Sequence, residues 1–151
     1  MRYQTLYIND TDVTFDPVIY TCFGLGSCIA LFIVDRVTGL TGGAHIALPI
    51  SLDDGEFLGA MRLIDTLLAN FRKMGSNVYC LRAKITGGAH VYDSLIDIGE
   101  QNIQAVVQQL TVRKIFVAAA DVGGRIARTA RFNSLTGELI ISTSDKKTYA
   151  I

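Results

Sequence analysis

Tyr3 to Ile8 alternates polar and apolar positions with the period of a strand, and Asn9-Asp10-Thr11-Asp12 closes it with turn residues. Val18 to Phe23 has the composition of a second short strand and leads into Gly24-Leu25-Gly26-Ser27. Cys28 to Val34 is a nearly unbroken apolar run, the pattern of a strand covered on both faces. A turn at Asp35 to Gly39 returns the chain as a strand over Leu40 to Leu48. From Glu56 to Met74, the residues Phe57, Met61, Ile64, Leu68 and Phe71 recur at three- and four-residue steps, which predicts a helix with one apolar stripe. Gly75 is its stop. Val78 to Thr86 reads as a strand. Asp97 with Glu100 resembles a capping box, opening a helix that carries Ile103, Val106, Val107 and Leu110. Lys114 to Ala120, Ile126 to Phe132 and Glu138 to Thr143 complete the strands, the last two joined by a hairpin turn at Asn133 to Gly137. Two helices and six or seven strands, with hairpins in place of strict alternation, predict a single-domain α/β sandwich built on mixed sheets.

Composition narrows the class. Of 151 residues 50% are hydrophobic and 19% charged, which fits one globule with a full core and argues against disorder. Basic and acidic residues number 14 each, so there is no basic footprint for nucleic acid. Only Pro17 and Pro49 are proline, and no linker divides the chain, so one domain over 1–151 is expected, its core at roughly 15–143. No apolar run approaches the ~20 residues of a membrane span, and the first residues lack a signal peptide's apolar stretch, so a cytoplasmic location without membrane insertion is expected. Three cysteines, an odd number, read as thiols there.

Candidate chemistry gathers around one hairpin. Folding the chain about Val37 sets Cys28 opposite Ile46 and beside His45. A bulge at Gly39 would shift the register by one and bring both side chains onto one face, their Cβ atoms ~5 Å apart. A free thiol ionises only near pH ~8.5, and its thiolate is the nucleophile. An adjacent imidazole takes that proton and later returns it to a leaving amine. The backbone of Gly26 and Ser27, with that of Cys28, is placed to donate to a developing oxyanion, worth ~3 kcal/mol per donor. Plainer roles compete: cysteines that open apolar strands usually only pack. Gly24-Leu25-Gly26 lacks the third glycine of a dinucleotide site. A metal site from Cys28, His45 and His90 is a weaker alternative, since no ligand pair has the close spacing of zinc sites. Cys80, between Tyr79 and Leu81, reads as core.

Several ordered blocks together resemble the chemoreceptor glutamine deamidases of the CheD family. They are Gly24-Leu25-Gly26-Ser27-Cys28, Gly43-Ala44-His45 with Leu48-Pro49, Ala83 to Ala89, Ile98-Gly99-Glu100-Gln101-Asn102, Asp121-Val122-Gly123-Gly124, Arg128, and Phe132-Asn133 with Thr136-Gly137. The resemblance implies an α/β sandwich, hydrolysis of selected receptor glutamines to glutamate and ammonia, and no cofactor or metal. It implies Cys28 as nucleophile, His45 as base and a threonine as third member. It also implies two partners, methyl-accepting chemotaxis receptors as substrate and, in many species, a CheC-type phosphatase. One position departs: where the family has threonine, this chain has Cys22, with Thr21 one residue earlier. The third member is therefore expected to be Thr21 or Cys22, or a backbone carbonyl in their place. A degenerate, non-catalytic partner of the phosphatase is the alternative function.

Overall fold

The computed structural model describes residues 1–52 and 58–151. Its first half holds β1 (Arg2–Thr5), β2 (Thr11–Thr14), β3 (Val18–Leu25), β4 (Ile29–Asp35), β5 (Thr41–Ile46) and helix α1 (Ala60–Lys73). The second half holds β6 (Leu81–Gly87), helix α2 (Ile98–Val112), β7 (Phe116–Val122), β8 (Arg128–Asn133), β9 (Leu139–Thr143) and β10 (Thr148–Ala150). The strands form two five-stranded sheets, ordered β1-β3-β8-β9-β10 and β2-β5-β4-β6-β7. Each sheet is mixed, because β1 runs parallel to β3 and β6 parallel to β7 while the other pairs are antiparallel.

Strand β4 explains the layering. Its odd positions, Ile29, Leu31 and Ile33, pack with Leu63, Leu67 and Phe71 of α1 and Val106 and Leu110 of α2. Its even positions, Ala30 and Phe32, pack with Tyr20 and Cys22 of β3, Phe132 of β8 and Ile141 of β9. The second sheet is therefore the middle of three layers, with helices on one face and the first sheet on the other. This is the mixed-sheet α/β sandwich expected from the sequence, and the apolar run of β4 follows from burial on both faces. Phe32 stacks on Phe132 with ring centroids 5.1 Å apart, fastening the two sheets at their centre.

Other expectations shift. Thr11–Thr14, whose first two residues were expected in the turn over Asn9 to Asp12, pairs with β5 as an edge strand, and Thr148–Ala150 adds a strand the pattern did not disclose. Both are short, at four and three residues, so neighbours rather than periodicity create them. Val78–Cys80 is a single 3₁₀ turn ahead of β6, which leaves Cys80 half-buried at a turn and not inside a strand. The face that α1 buries is Ala60, Leu63, Ile64, Leu67, Leu68 and Phe71; Met61 is exposed, and Glu56 and Phe57 lie outside the described residues.

Candidate active site

The hairpin β4–β5 carries both candidate residues. Asp35 organises its turn: one carboxylate oxygen accepts from the N–H groups of Val37 (2.8 Å) and Thr38 (3.2 Å), the other from the Ser76 hydroxyl (2.6 Å). Gly39 closes the loop at φ +81°, its N–H donated to the Asp35 carbonyl at 2.9 Å, while the Asp35 N–H bonds the Leu40 carbonyl at 2.8 Å and starts the register. Opposing positions are Val34 with Thr41, Ala30 with His45 and Ile29 with Ile46. Continued by one residue, the ladder brings Cys28 level with Ala47. Cys28 and His45 thus share the face toward the first sheet as diagonal neighbours, typically ~7–8 Å between backbones, and not as the directly opposed pair expected. They line one cleft of about 410 Å³ together with Thr5, Leu6, Tyr7 and Phe23.

The imidazole is held from below. His45 is nearly buried, and its Nδ1 lies 2.8 Å from the Leu6 carbonyl oxygen. A carbonyl only accepts, so Nδ1 carries the proton and the lone pair of the neutral ring sits on Nε2. Leu6 is itself fixed, its side chain in the core and its N–H donated to the Thr21 carbonyl at 2.8 Å. Thr21 therefore reaches the imidazole through two backbone links and not through its hydroxyl. Cys22 is fully buried among the apolar residues between the sheets, where burial drives its thiol far above the ordinary value. The Nδ1 partner is thus a backbone carbonyl, that of Leu6, and neither the Thr21 hydroxyl nor the Cys22 thiol among the expected options.

Burial sets the protonation states of the pair. It pushes the half-buried Cys28 thiol above its usual pKa. It pulls His45 below its usual value, with the Leu6 carbonyl and Asp10 opposing in part. Near neutral pH the pair is a thiol beside a neutral imidazole, so the proton must move during reaction.

The backbone ahead of the thiol is equally defined. The Gly26 N–H bonds the Gly24 carbonyl at 3.0 Å, so this expected oxyanion donor is already engaged. The N–H groups of Ser27 and Cys28 have no acceptor among the described residues. The Cys28 carbonyl accepts from the Gly88 N–H at 2.8 Å, and a Cβ on Gly87 would come within 2.1 Å of that oxygen. Gly87 also lies at φ +113°, which explains why glycine stands at the end of β6.

A second cleft, also of about 410 Å³, opens on the other flank of Cys28 between Gly26, Ser27, His90, Tyr92 and Asp97. His90, weighed above as a metal ligand with His45, belongs to this cleft, its Nδ1 3.4 Å from Asp97 Oδ2. No set of three metal-ligating side chains gathers among the described residues. Pattern reading missed Leu6 and Asn102. A backbone carbonyl leaves no trace in composition, whereas Asn102 had a signal: it stands four residues before Val106 and eight before Leu110, a polar residue in an apolar stripe.

At the level of class, the chain is a three-layer α/β protein with a thiol and a tautomer-fixed imidazole on one cleft. Residues 55–143 match the family described as CheD chemotactic sensory transduction, a match that begins after Cys28 and His45. Pairwise likeness extends further. The chain is 36% identical over 141 residues to the chemoreceptor glutamine deamidase CheD of Thermotoga maritima, covering 91% of this chain and 90% of that one. It is 34% identical over 143 residues to the probable chemoreceptor glutamine deamidase CheD of Caldanaerobacter subterraneus, covering 89% and 88%. Against the probable chemoreceptor glutamine deamidase CheD 1 of Methanosarcina mazei it is 35% identical over 133 residues, 85% of this chain but 60% of the relative. The chain thus spans about three fifths of the Methanosarcina protein and about nine tenths of the other two. It belongs to the CheD family.

Proposed function

We propose that the chain hydrolyses the side-chain amide of glutamine residues in methyl-accepting chemotaxis receptors, giving glutamate and ammonia. The observation that carries this reading is the Cys28–His45 cleft with the ring fixed by Leu6, in a chain whose Thermotoga relative is named a chemoreceptor glutamine deamidase. His45 Nε2 takes the Cys28 proton as the sulfur bonds the amide carbon. The amides of Ser27 and Cys28 receive the resulting oxyanion. As the tetrahedral centre collapses, His45 returns the proton to the nitrogen, which leaves as ammonia. A water then gives a proton to His45 and attacks the thioester, releasing glutamate and restoring the thiol. Both clefts beside Cys28 are open to the surface, which suits an amide that protrudes from a receptor segment.

Ammonia release from a receptor preparation tests the reading: it should be lost in Cys28→Ala and in His45→Ala, and normal release from Cys28→Ala would end it. A second reading, a non-catalytic partner of a CheC-type phosphatase at a cytoplasmic location, is favoured by the raised Cys28 thiol and by Cys22 at the family's threonine position. Alkylation with iodoacetamide separates the two. The catalytic reading expects His45→Ala to slow Cys28 labelling at neutral pH; a rate indifferent to His45 supports the partner role.

A further inference from the structure

Asn102 is fully buried in the stripe of α2 that continues through Val106 and Leu110. Its Nδ2 donates to two backbone carbonyls, Ser27 at 2.8 Å and Ala47 at 3.0 Å. Both neighbours only accept, which fixes the nitrogen end of the amide toward them. The Oδ1 atom is buried without a donor, so the residue is retained at a cost that packing alone does not explain. The two carbonyls lie on either side of the site, one in the residue before Cys28 and the other two residues beyond His45.

The direction of the first bond matters. No cis peptide occurs among the described residues, and a trans peptide points its C=O and N–H in opposite directions. Drawing the Ser27 carbonyl toward α2 turns the Cys28 N–H away from the helices, to the side on which Cys28 packs with the sheet-to-sheet cluster. That N–H has no acceptor among the described residues. His45 does not depend on the same clamp, because the Leu6 carbonyl and the β4–β5 ladder already hold it.

We infer that Asn102 is a positioning residue which aims the Cys28 N–H at the substrate's developing oxyanion, an inference that rests on the deamidation proposed above. Attack on an amide builds an oxyanion, whereas displacement of iodide from iodoacetamide does not. The two rates at Cys28 therefore separate aim from general integrity. In Asn102→Ala and Asn102→Asp, kcat for receptor deamidation is expected to fall roughly 100-fold, the loss typical of one oxyanion donor. KM should stay within about threefold and Cys28 alkylation within about twofold. A folded variant with kcat unchanged overturns the inference, and so does a parallel fall in kcat and alkylation, which is what mere loosening of the fold would give. Cys28→Ala, assayed alongside, keeps the two levels apart: if it still deamidates, the proposed function fails whatever Asn102 does. The unsubstituted protein offers a second test. With a receptor peptide bearing glutamic semialdehyde in place of the glutamine, the Cys28 sulfur bonds the aldehyde carbon and the thiol proton passes to its oxygen. The backbone amide proton resonance of Cys28 should then move downfield; a resonance that stays in place overturns the inference.

Discussion

His45 is defined less by its neighbours in sequence than by one carbonyl. With Leu6 accepting from Nδ1, the ring offers Nε2 as a base only while it is neutral, and burial holds its pKa below the ordinary 6.5. Protonation therefore removes the base only in more acidic solution. The acid limb of kcat/KM is expected to have its midpoint below pH 6.5, read from a pH–rate profile; a midpoint above it would point to a different base. The same depression affects stability. The unfolded chain takes up the proton first, so His45 leaves stability intact above 6.5 and erodes it as pH falls through the folded value. Cys22 carries a separate expectation. It is buried with apolar neighbours and does not hold the ring, so Cys22→Thr should leave turnover within about threefold while lowering stability by about 1–2 kcal/mol for the hydroxyl. Steady-state kinetics and urea denaturation read the two effects, and a tenfold change in turnover would assign Cys22 a part in the chemistry.

The elements divide the site's construction among themselves. β4 and β5 bring thiol and imidazole to one face, the segment after β1 supplies Leu6, the end of β6 fixes the Cys28 carbonyl, and α2 supplies Asn102. Removing residues 2–6 should therefore reduce turnover at least 100-fold although Cys28 and His45 are untouched, checked by ammonia release from a truncated protein that retains its far-UV spectrum. Retained turnover would show that the carbonyl is dispensable. The Asp35 turn predicts an acid dependence: burial raises its pKa, but bonds from Ser76, Val37 and Thr38 outweigh that and hold the carboxyl below its usual 3.8. Its contribution is thus present above 3.8 and lost as pH falls below it. Asp35→Ala should cost about 1–3 kcal/mol at neutral pH, measured by denaturant unfolding. How much of this was legible follows from the kind of signal each element leaves. The doubly buried β4, both helices and the hairpin turn were readable because burial imposes a period and turns demand particular residues. The register was off because a glycine in the turn shows that the pairing can shift by one residue but not in which direction. β2 and β10 escaped because edge strands of three or four residues owe their existence to neighbours, and the Leu6 contact escaped because any residue could provide a carbonyl.

At the scale of the molecule, the middle sheet acts as a partition. Helices cover one face and the first sheet the other, and Cys28 stands just before β4 where two clefts meet. No helix among the described residues is long and apolar enough to cross a membrane. The cleft that holds His45 is edged by Tyr7, Ile8 and Phe23, all more than half exposed, which favours engagement of an intact receptor segment over a free amino acid. Phe23→Ser should accordingly raise KM for receptor about tenfold with kcat little changed; a fall in kcat alone would place Phe23 at the chemistry instead. The most direct test of the whole account is mass mapping of receptor glutamines after incubation in heavy-oxygen water with the wild-type protein and with Cys28→Ala and His45→Ala. The account predicts glutamines converted to glutamate with one heavy oxygen by the wild-type protein and none converted by either variant. Conversion by Cys28→Ala at the wild-type rate would contradict it.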